Sequence, residues 1–579
     1  MFRIKKMPGS LRAVFAGSLL MAAFLLAGCS SPYGDPEPEM ATVTINLGGG
    51  AARTGFCGTI PPTAISYEIW LINADILGDV GKKLTADTSG KASASVEPGN
   101  YSIKVEATIR GWDYAEAVYP PLNPSFEVKA GEPYEAKITM QRIPNAIVLD
   151  IQREAVMRHD FGPFTASGSP TRTITVSNYT GTTTGSTSAT ITAAITGGGF
   201  TVPPSITINP DESESLTITA SATPLGRNNA TLTISMGIDT IASINLSSIA
   251  ATSTITHGGT GAGGLADLPL TAGEYHVLGD DITLPNDWVP IGPGSTASNL
   301  FLGTLDGNGH TINWGNHNQA YGQENFGLFG AIGAGGTVKN IGLTGSLNVS
   351  RSGGNLNVGA LAGLNQGTIF NVASSVAVTA EGDANVYVGG IVGESRTNSS
   401  LLENSYSSAN ITATTTGASN AYAAGIANIT NGAVNYTWTS GIVSVNGSGG
   451  IVSAGGISNH GLTPSRTAYS VALGSDVSAT NTFTTTYQRR ITGQMQTTGI
   501  VGTLLANFAI NTMTPVVTGT LHSSPDGLDI TPGNANDLEW WRSTPAGNRP
   551  AWTVHANKAS ANEASPWWWD GNRPRLWFE

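Results

Sequence analysis

The chain has 579 residues, a formal net charge of −12 and only 12% charged residues. No cluster of Lys and Arg follows the N-terminal segment, which argues against a nucleic-acid partner, and 40% hydrophobic residues argue against a disordered acidic chain. The length exceeds what one hydrophobic core supports, so we expect several domains. Low charge combined with 73 glycines favours a β-rich extracellular protein.

The first segment, residues 1–28, is typical of an export signal. Its apolar stretch from Ala13 to Leu26 is shorter than a typical membrane span and leads into Gly28-Cys29. The ending Leu-Ala-Gly-Cys resembles a bacterial lipobox, in which the signal is removed before the cysteine and the cysteine carries the lipid. The resemblance implies a lipoprotein signal peptide, lipidation (palmitate) at Cys29 and a membrane as partner. The alternatives are an ordinary secretory signal and a buried apolar helix. The basic residues before the apolar stretch are Arg3, Lys5, Lys6 and Arg12.

Residues 29–40 are predicted to form an extended tether, because three prolines alternate with acidic residues there. The pair Ser30-Ser31, with no Asp after the cysteine, points by the enterobacterial sorting rule to the outer membrane or cell surface. With Cys29 lipidated, Cys57 is the only thiol left, so an intramolecular disulfide is excluded. We interpret Cys57 as a lone buried cysteine.

Two β-sandwich domains are predicted after the tether. Residues 41–142 contain short alternating strands, and the run from Val96 to Val105, with Pro98-Gly99 inside it, resembles a prealbumin-like (carboxypeptidase regulatory-like) domain. Residues 143–252 contain alternating segments separated by turns, which is the pattern of an immunoglobulin-like sandwich. This second region also resembles the immunoglobulin-like modules of bacterial surface proteins.

A repeat occupies residues 265–465. A cluster of small and apolar residues returns at intervals of 30 to 35 residues, and most copies are followed by an apolar residue, a spacer and Asn, as in Val338-Lys339-Asn340. Short strands with Gly and Asn between them, stacked coil on coil, predict a parallel β-helix. We expect Gly to permit positive φ at the corners and Asn to stack in ladders. The glycines that define the repeat are Gly327, Gly330, Gly363, Gly390, Gly393, Gly425 and Gly456.

These copies resemble the GLUG motif of bacterial surface and adhesin-like proteins. The Asn-bearing signature weakens in the fourth copy to Val434-Asn435. The resemblance implies an all-β chain in which the two N-terminal sandwiches precede a right-handed parallel β-helix of GLUG-type repeats. It covers about a third of the chain and is more informative about architecture than about activity.

The region 466–579 is predicted to form further coils and a Trp-rich C-terminal cap for the open end of the β-helix. Exposed coplanar Trp rings would instead bind sugars, so a cap and a sugar site are the two interpretations. The tryptophans concerned are Trp540, Trp541, Trp552, Trp567, Trp568, Trp569 and Trp577.

One group of residues has the chemistry of a catalytic site. Asp280, Asp281, Asp306 and His310 would supply carboxylates and a base for acid–base chemistry on an acidic polysaccharide. The stronger interpretation is structural, because Asp-Gly and Asn-Gly are turn residues. No metal-binding repeat or nucleophile motif occurs, so we expect no metal and no cofactor, and a binding protein rather than an enzyme.

The sequence therefore predicts a lipid-anchored cell-envelope protein at the outer membrane or cell surface. Its β-helix would bind a host surface, a glycan or a protein. The alternatives are a β-helix lyase or hydrolase acting on an acidic polysaccharide, and a purely structural envelope protein.

Overall fold

A computed structural model of the chain describes residues 40–46, 65–76, 79, 81–86, 91–109, 112–118, 125–137, 139–142, 149–151, 158–165, 167–178, 188–210, 212–294, 299–429, 431–460, 465–481, 486–494, 503–516, 518–519, 521, 523–542 and 549–579. The predictions for the signal peptide, Cys29, the tether and Cys57 lie outside the described residues. Two compact units are present, Met1–Asp150 with Asn178–Thr187, and Ile151–Ser177 with Ser188–Glu579. No helix within the described ranges is long and apolar enough to cross a membrane.

The predicted all-β fold class is confirmed, with about 58% strand and 4% helix. In the first unit, β1 pairs antiparallel with β4 and parallel with β8, while the order β3-β2-β5-β6-β9 forms a second sheet. Alternate side chains of both sheets, such as Val43 and Ile69, share one buried core. The strands are β1 Ala41–Asn46, β2 Ile65–Asn73, β3 Lys82–Leu84, β4 Lys91–Val96, β5 Gly99–Ile109, β6 Trp112–Val118, β7 Ser125–Val128, β8 Tyr134–Lys137 and β9 Thr139–Arg142.

The second unit begins with a sandwich of short strands. One sheet contains β12-β16-β14 and the other has the order β11-β18-β17-β13-β15. The burial of every second residue along β13 shows why this alternating sequence folds as strands with one face inward. Strand β10, Leu149–Ile151, spans the point in the sequence where the first unit ends. The strands that follow are β11 Arg158–Thr165, β12 Thr171–Asn178, β13 Ala189–Gly197, β14 Phe200–Thr201, β15 Ser205–Ile208, β16 Ser213–Ala220, β17 Gly226–Met236 and β18 Asp239–Ala251.

A parallel β-solenoid of about six turns follows. Its pairing begins where Ser253–Ile255 joins Tyr275–Leu278 and continues to Leu528–Ile530, so it extends beyond 265–465 at both ends. The strands are β19 Ser253–Ile255, β20 Tyr275–Leu278, β21 Ile282–Thr283, β22 Thr304–Asp306, β23 Thr311–Ala320, β24 Asn325–Phe326, β25 Phe329–Ile332, β26 Thr337–Arg351, β27 Leu356–Gly359, β28 Ala362–Asn365, β29 Thr368–Ser374, β30 Ala377–Gly382, β31 Val386–Gly389, β32 Val392–Ser395, β33 Leu401–Ser407, β34 Ile411–Thr415, β35 Ala421–Ala424, β36 Ala427–Ile429, β37 Gly432–Thr439, β38 Val443–Gly447, β39 Val452–Gly455, β40 Ser458–His460, β41 Ser465–Ala468, β42 Val471–Ala472, β43 Val477–Asn481, β44 Thr486–Arg489, β45 Thr503–Leu505, β46 Phe508–Ile510 and β47 Leu528–Ile530.

In-register pairing stacks the apolar residue of each coil on that of the next. Leu305 pairs with Val338, Val338 with Ile369, and the column continues through Leu402 and Val434. All of these side chains are fully buried. One repeat has no partner for this apolar row, so the coils stabilise each other by stacking.

The Asn residues of the repeat form the corners of the coils. Asn308, Asn340, Asn371 and Asn404 have φ values of 51°, 55°, 56° and 48°, a left-handed conformation that Asn tolerates better than most residues. The amide of Asn371 donates to the side-chain oxygen of Asn340 at 2.9 Å, which is the expected ladder. In the fourth copy, where the signature weakens to Val434-Asn435, Tyr436 occupies the corner with φ 50°.

The glycines that define the repeat have a different role from the predicted one. None of the seven has a positive φ; each lies where an added Cβ would overlap the backbone of a neighbouring coil or connection. At Gly327, for example, a Cβ would lie 2.6 Å from the carbonyl oxygen of Gly359. Close coil-to-coil approach, rather than corner geometry, therefore requires glycine. The other positions are Gly330, Gly363, Gly390, Gly393, Gly425 and Gly456.

The Trp-rich region closes the last coils and then returns along the solenoid. Trp540 packs edge-on against Phe508 of β46, with 5.4 Å between ring centroids, and Trp541 is fully buried. Residues 549–579 then run back along the Asn corners, where the indole nitrogen of Trp567 donates to the Asn404 side chain at 3.3 Å. The region is thus an end cap continued by a lateral strap, defined here as residues 549–579. Its elements are α1 Pro532–Ala535, α2 Leu538–Arg542, β48 Val554–His555, β49 Trp567–Trp569 and β50 Pro574–Leu576.

Candidate functional site

The stacking of coils creates an outward-facing row that crosses the solenoid. Asp306 pairs with Lys339, Lys339 with Phe370, and Phe370 with Glu403. Neighbouring members belong to adjacent parallel strands, about 4.8 Å apart. Residues that are distant in the sequence therefore lie side by side on one outer face of the solenoid.

A cleft of about 950 Å³ lies over part of this row, within the second unit. Three segments line it: the sandwich, the outer face and corners of the solenoid, and the lateral strap. The sandwich contributes Asp160, Gly162, Pro163, Arg227, Asn229, Ser247, Ser248 and Ile249; the solenoid contributes Asn308, Thr368, Phe370, Glu403 and Asn404; and the strap contributes Ala561, Asn562, Glu563, Ala564 and Trp577.

Asp306 is fully buried at one end of the row and is held by several donors. Tyr275 donates its hydroxyl at 2.6 Å, and Arg227 of the sandwich donates Nε at 2.9 Å. The Asn340 amide donates at 3.0 Å, and Lys339 Nζ lies 3.8 Å away. Burial alone would raise the pKa of Asp306, but the charges of Arg227 and Lys339 outweigh it and hold the pKa below its ordinary value. Asp306 is therefore an ionised structural anchor.

Glu563 of the strap joins the same group of charges. One carboxylate oxygen lies 2.7 Å from Arg227 Nε, and the other lies 2.6 Å from Lys339 Nζ. The Asn340 amide donates to the Glu563 carboxylate at 3.0 Å. We name Arg227, Asp306, Lys339 and Glu563 the charge hub. It joins the sandwich, the solenoid and the strap at one wall of the cleft.

Glu403 differs from the carboxylates of the hub. It is half-buried in the cleft lining, and burial raises its pKa. Among the described residues, its carboxylate makes no hydrogen bond and no ion pair. A half-buried carboxyl group in an open cleft can donate or accept a hydrogen bond to a ligand.

Replacing Glu403 by Gln is expected to raise the melting temperature at neutral pH. The raised pKa means that the fold disfavours the ionised form, so stability falls as pH rises through the folded pKa, and Gln removes that charge. The gain should shrink as pH drops below the folded pKa. Thermal melts of both proteins across this range measure it, with the exposed Glu381→Gln as control. Equal melting temperatures at neutral pH would contradict the role assigned to burial.

The four residues of the predicted acid–base group do not share one set of contacts. Asp280 and Asp281 are exposed, and Asp281 accepts from the Thr311 amide at 2.8 Å, with His310 Nδ1 at 3.3 Å. Asp306 instead contacts the hub. Asp306 also accepts from the Asn308 amide at 2.9 Å, and Asn308 has positive φ, so this run forms a turn.

Sequence reasoning missed Arg227, Glu403 and Glu563 as members of one site. Glu403 could have been found by aligning the copies, because it occupies the spacer position before a corner Asn, as Lys339 and Phe370 do. Among the described residues, no group of three or more His, Cys, Asp and Glu has an arrangement suited to a metal ion.

Comparison with known proteins gives limited similarity. No protein-family model matches the chain. Halomucin of Haloquadratum walsbyi is 38% identical over 116 residues, which is 20% of this chain, and the chain spans 1% of halomucin's length. A Bacteroides ovatus protein assigned as an immunoglobulin A1 protease aligns over 51% of this chain and 90% of its own, with 19% identity and a TM-score of 0.36.

A second solved structure, an IgA1 protease, aligns over 49% of this chain and 24% of its own, with 16% identity and a TM-score of 0.29. A DUF3823 family protein from Bacteroides ovatus aligns over 36% of this chain and 98% of its own, with 11% identity and a TM-score of 0.12. At these identities and TM-scores the similarities carry no inference about activity.

Proposed function

We propose that this chain is a lipid-anchored bacterial surface protein of the GLUG-repeat type that binds a host surface, a glycan or a neighbouring cell. The observation that carries the binding role is the open cleft of about 950 Å³ among the sandwich, the solenoid and the strap. Its volume is in the usual range for ligand sites. The export signal and the Leu-Ala-Gly-Cys ending at Cys29 support the anchored location.

The contacts of Asp306 and His310 favour a binding role over a catalytic one. Asp306 is fully buried and fully occupied by Tyr275, Arg227 and Asn340, so it is not free to exchange a proton with a substrate. His310 contacts an exposed Asp281 rather than Asp306. The continuous strand pairing of the solenoid supports this role, because a binding surface gains affinity when it is already ordered.

Anchoring is tested by replacing Cys29 with Ser. We expect complete loss of palmitate labelling and release of the protein from the membrane fraction, because the lipid supplies the membrane affinity. The matched control is Cys57→Ser, which removes the other thiol and should retain both the label and the membrane location. Retention of the Cys29→Ser protein in the membrane would contradict lipid anchoring.

Surface location is tested by protease treatment of intact cells and mass spectrometry of the released peptides. Peptides from the solenoid are expected outside the cell. If the protein stays in the membrane fraction and no solenoid peptide is released, the solenoid faces the periplasm. The adhesion role would then be overturned in favour of a structural envelope protein.

A further inference from the structure

The chemistry of the cleft indicates which class of ligand it accepts. Its lining combines two aromatic rings, from Phe370 and Trp577, with amide and hydroxyl groups such as those of Asn404 and Thr368. Aromatic rings offer flat apolar surface, and amides and carboxyl groups both hydrogen-bond to hydroxyls. Sugars present an apolar ring face and hydroxyl edges, so this set of side chains suits a carbohydrate.

The charges of the lining disfavour an acidic carbohydrate. Asp160, Glu403 and Glu563 are carboxylates, and Arg227 is the one cation among the described residues of the lining. Arg227 already contacts Asp306 at 2.9 Å and Glu563 at 2.7 Å. An anionic chain would therefore add negative charge beside Glu403 and find the Arg227 guanidinium already paired, which costs affinity.

The position of Glu403 favours a neutral ligand over a cationic one. Glu563 is already paired with Arg227 and Lys339, and burial of Glu403 raises its pKa, so neither carboxylate is readily available to pair with a cation. A hydroxyl group satisfies the carboxyl in either protonation state, because it both donates and accepts.

The arrangement of the lining favours a chain over a single small molecule. Asn308, Phe370 and Glu403 belong to different coils, and their strands follow one another across the solenoid. Three coil steps separate the corners Asn308 and Asn404, which both line the cleft, a distance of about 14 Å at about 4.8 Å per coil. That length accommodates several linked sugar units.

We propose that the cleft binds a neutral polysaccharide chain laid across the coils, with Phe370 contacting a sugar ring and Glu403 and Asn404 hydrogen-bonding to its hydroxyls. The inference rests on the proposed binding function and assigns it a site and a ligand class. It replaces the acidic polysaccharide considered from the sequence with a neutral one.

The test measures binding of the full-length protein in detergent to a neutral glucan, a galactan and a mannan. A polyuronate and a polyglucosamine serve as the anionic and cationic probes. We expect binding to at least one neutral chain, with about tenfold weaker affinity, about 1.4 kcal/mol, for Phe370→Ala and for Glu403→Ala, which removes the hydrogen-bonding group. Phe370→Leu removes the aromatic ring but keeps most of the apolar volume. Weaker binding by this variant would therefore be due to loss of the ring and not to a cavity.

Tyr422→Ala is the matched control, because Tyr422 is a half-buried aromatic residue on a different sheet of the same solenoid. It should bind as the unaltered protein does. Binding to the polyuronate or the polyglucosamine alone, or unchanged affinity in Phe370→Leu and Glu403→Ala, would overturn the inference.

Failure of this inference is distinguishable from failure of the proposed function. If the protein mediates attachment of intact cells to a surface and the two cleft variants attach equally well, the surface role stands and the cleft is not the site. If the protein mediates no attachment and binds no member of the panel, both proposals fall.

Discussion

Replacing Asp306 by Ala is expected to lower the free energy of unfolding of the second unit by about 3–5 kcal/mol, the range for removing one partner of a buried ion pair. The substitution leaves Arg227, Lys339 and the Tyr275 hydroxyl without their shared acceptor. The loss should fall toward the lower end, because the Arg227 side chain is 23% exposed and Glu563 still neutralises part of its charge. Urea unfolding followed by tryptophan fluorescence measures it, since Trp577 lies against Arg227.

The matched control for Asp306 is Asp281→Ala. Asp281 is also an aspartate of the first coils, but its side chain is 74% exposed, so we expect a change of no more than about 0.5 kcal/mol. Equal effects of the two substitutions would mean that the charge hub contributes nothing beyond an ordinary surface charge.

Replacing Gly390 by Ala is expected to destabilise the solenoid by about 3 kcal/mol or more, at or above the upper end for overpacked interiors. A Cβ at this position would overlap the carbonyl oxygen of Gly425 in the next coil and the Ser407 hydroxyl. A backbone oxygen cannot rotate away as a flexible side chain can, so neighbouring coils would have to separate. The measurement is the shift in the thermal and urea unfolding midpoints.

Gly322→Ala provides the control for this substitution. Gly322 lies in the same solenoid, has no positive φ, and has no atom within 4 Å of an added Cβ. Alanine there should leave stability unchanged or slightly raised, because it reduces the freedom of the unfolded chain. A similar loss at both glycines would show that the close approach of coils at Gly390 is not the cause.

The period of the sequence was enough to predict the solenoid, because stacking in register requires each apolar position to return at nearly the same place. Val338, Ile369 and Leu402 recur in that way and form the buried column. The same period did not reveal why glycine recurs. Both a left-handed corner and a crowded backbone demand glycine, and only coordinates distinguish a positive φ from a blocked Cβ.

The candidate site was much less predictable than the fold. Lys339 and Glu563 are separated by 224 residues, and nothing local to either residue indicates that they meet. Asp306 was singled out for its turn-like surroundings, but its burial depends on Arg227, which lies 79 residues earlier in another domain. Long-range charge pairing therefore determines the site, whereas local periodicity determines the fold.

The course of the lateral strap has a consequence for the order of folding. Coils of a solenoid contact only their neighbours, so they can form one after another along the chain. The side chain of Asn340, however, donates a hydrogen bond to Glu563, which lies 223 residues downstream. Contacts between such distant residues form slowly because a long loop has to close. We therefore expect Arg227 of the sandwich and Lys339 of the solenoid to lack the Glu563 carboxylate until the strap docks.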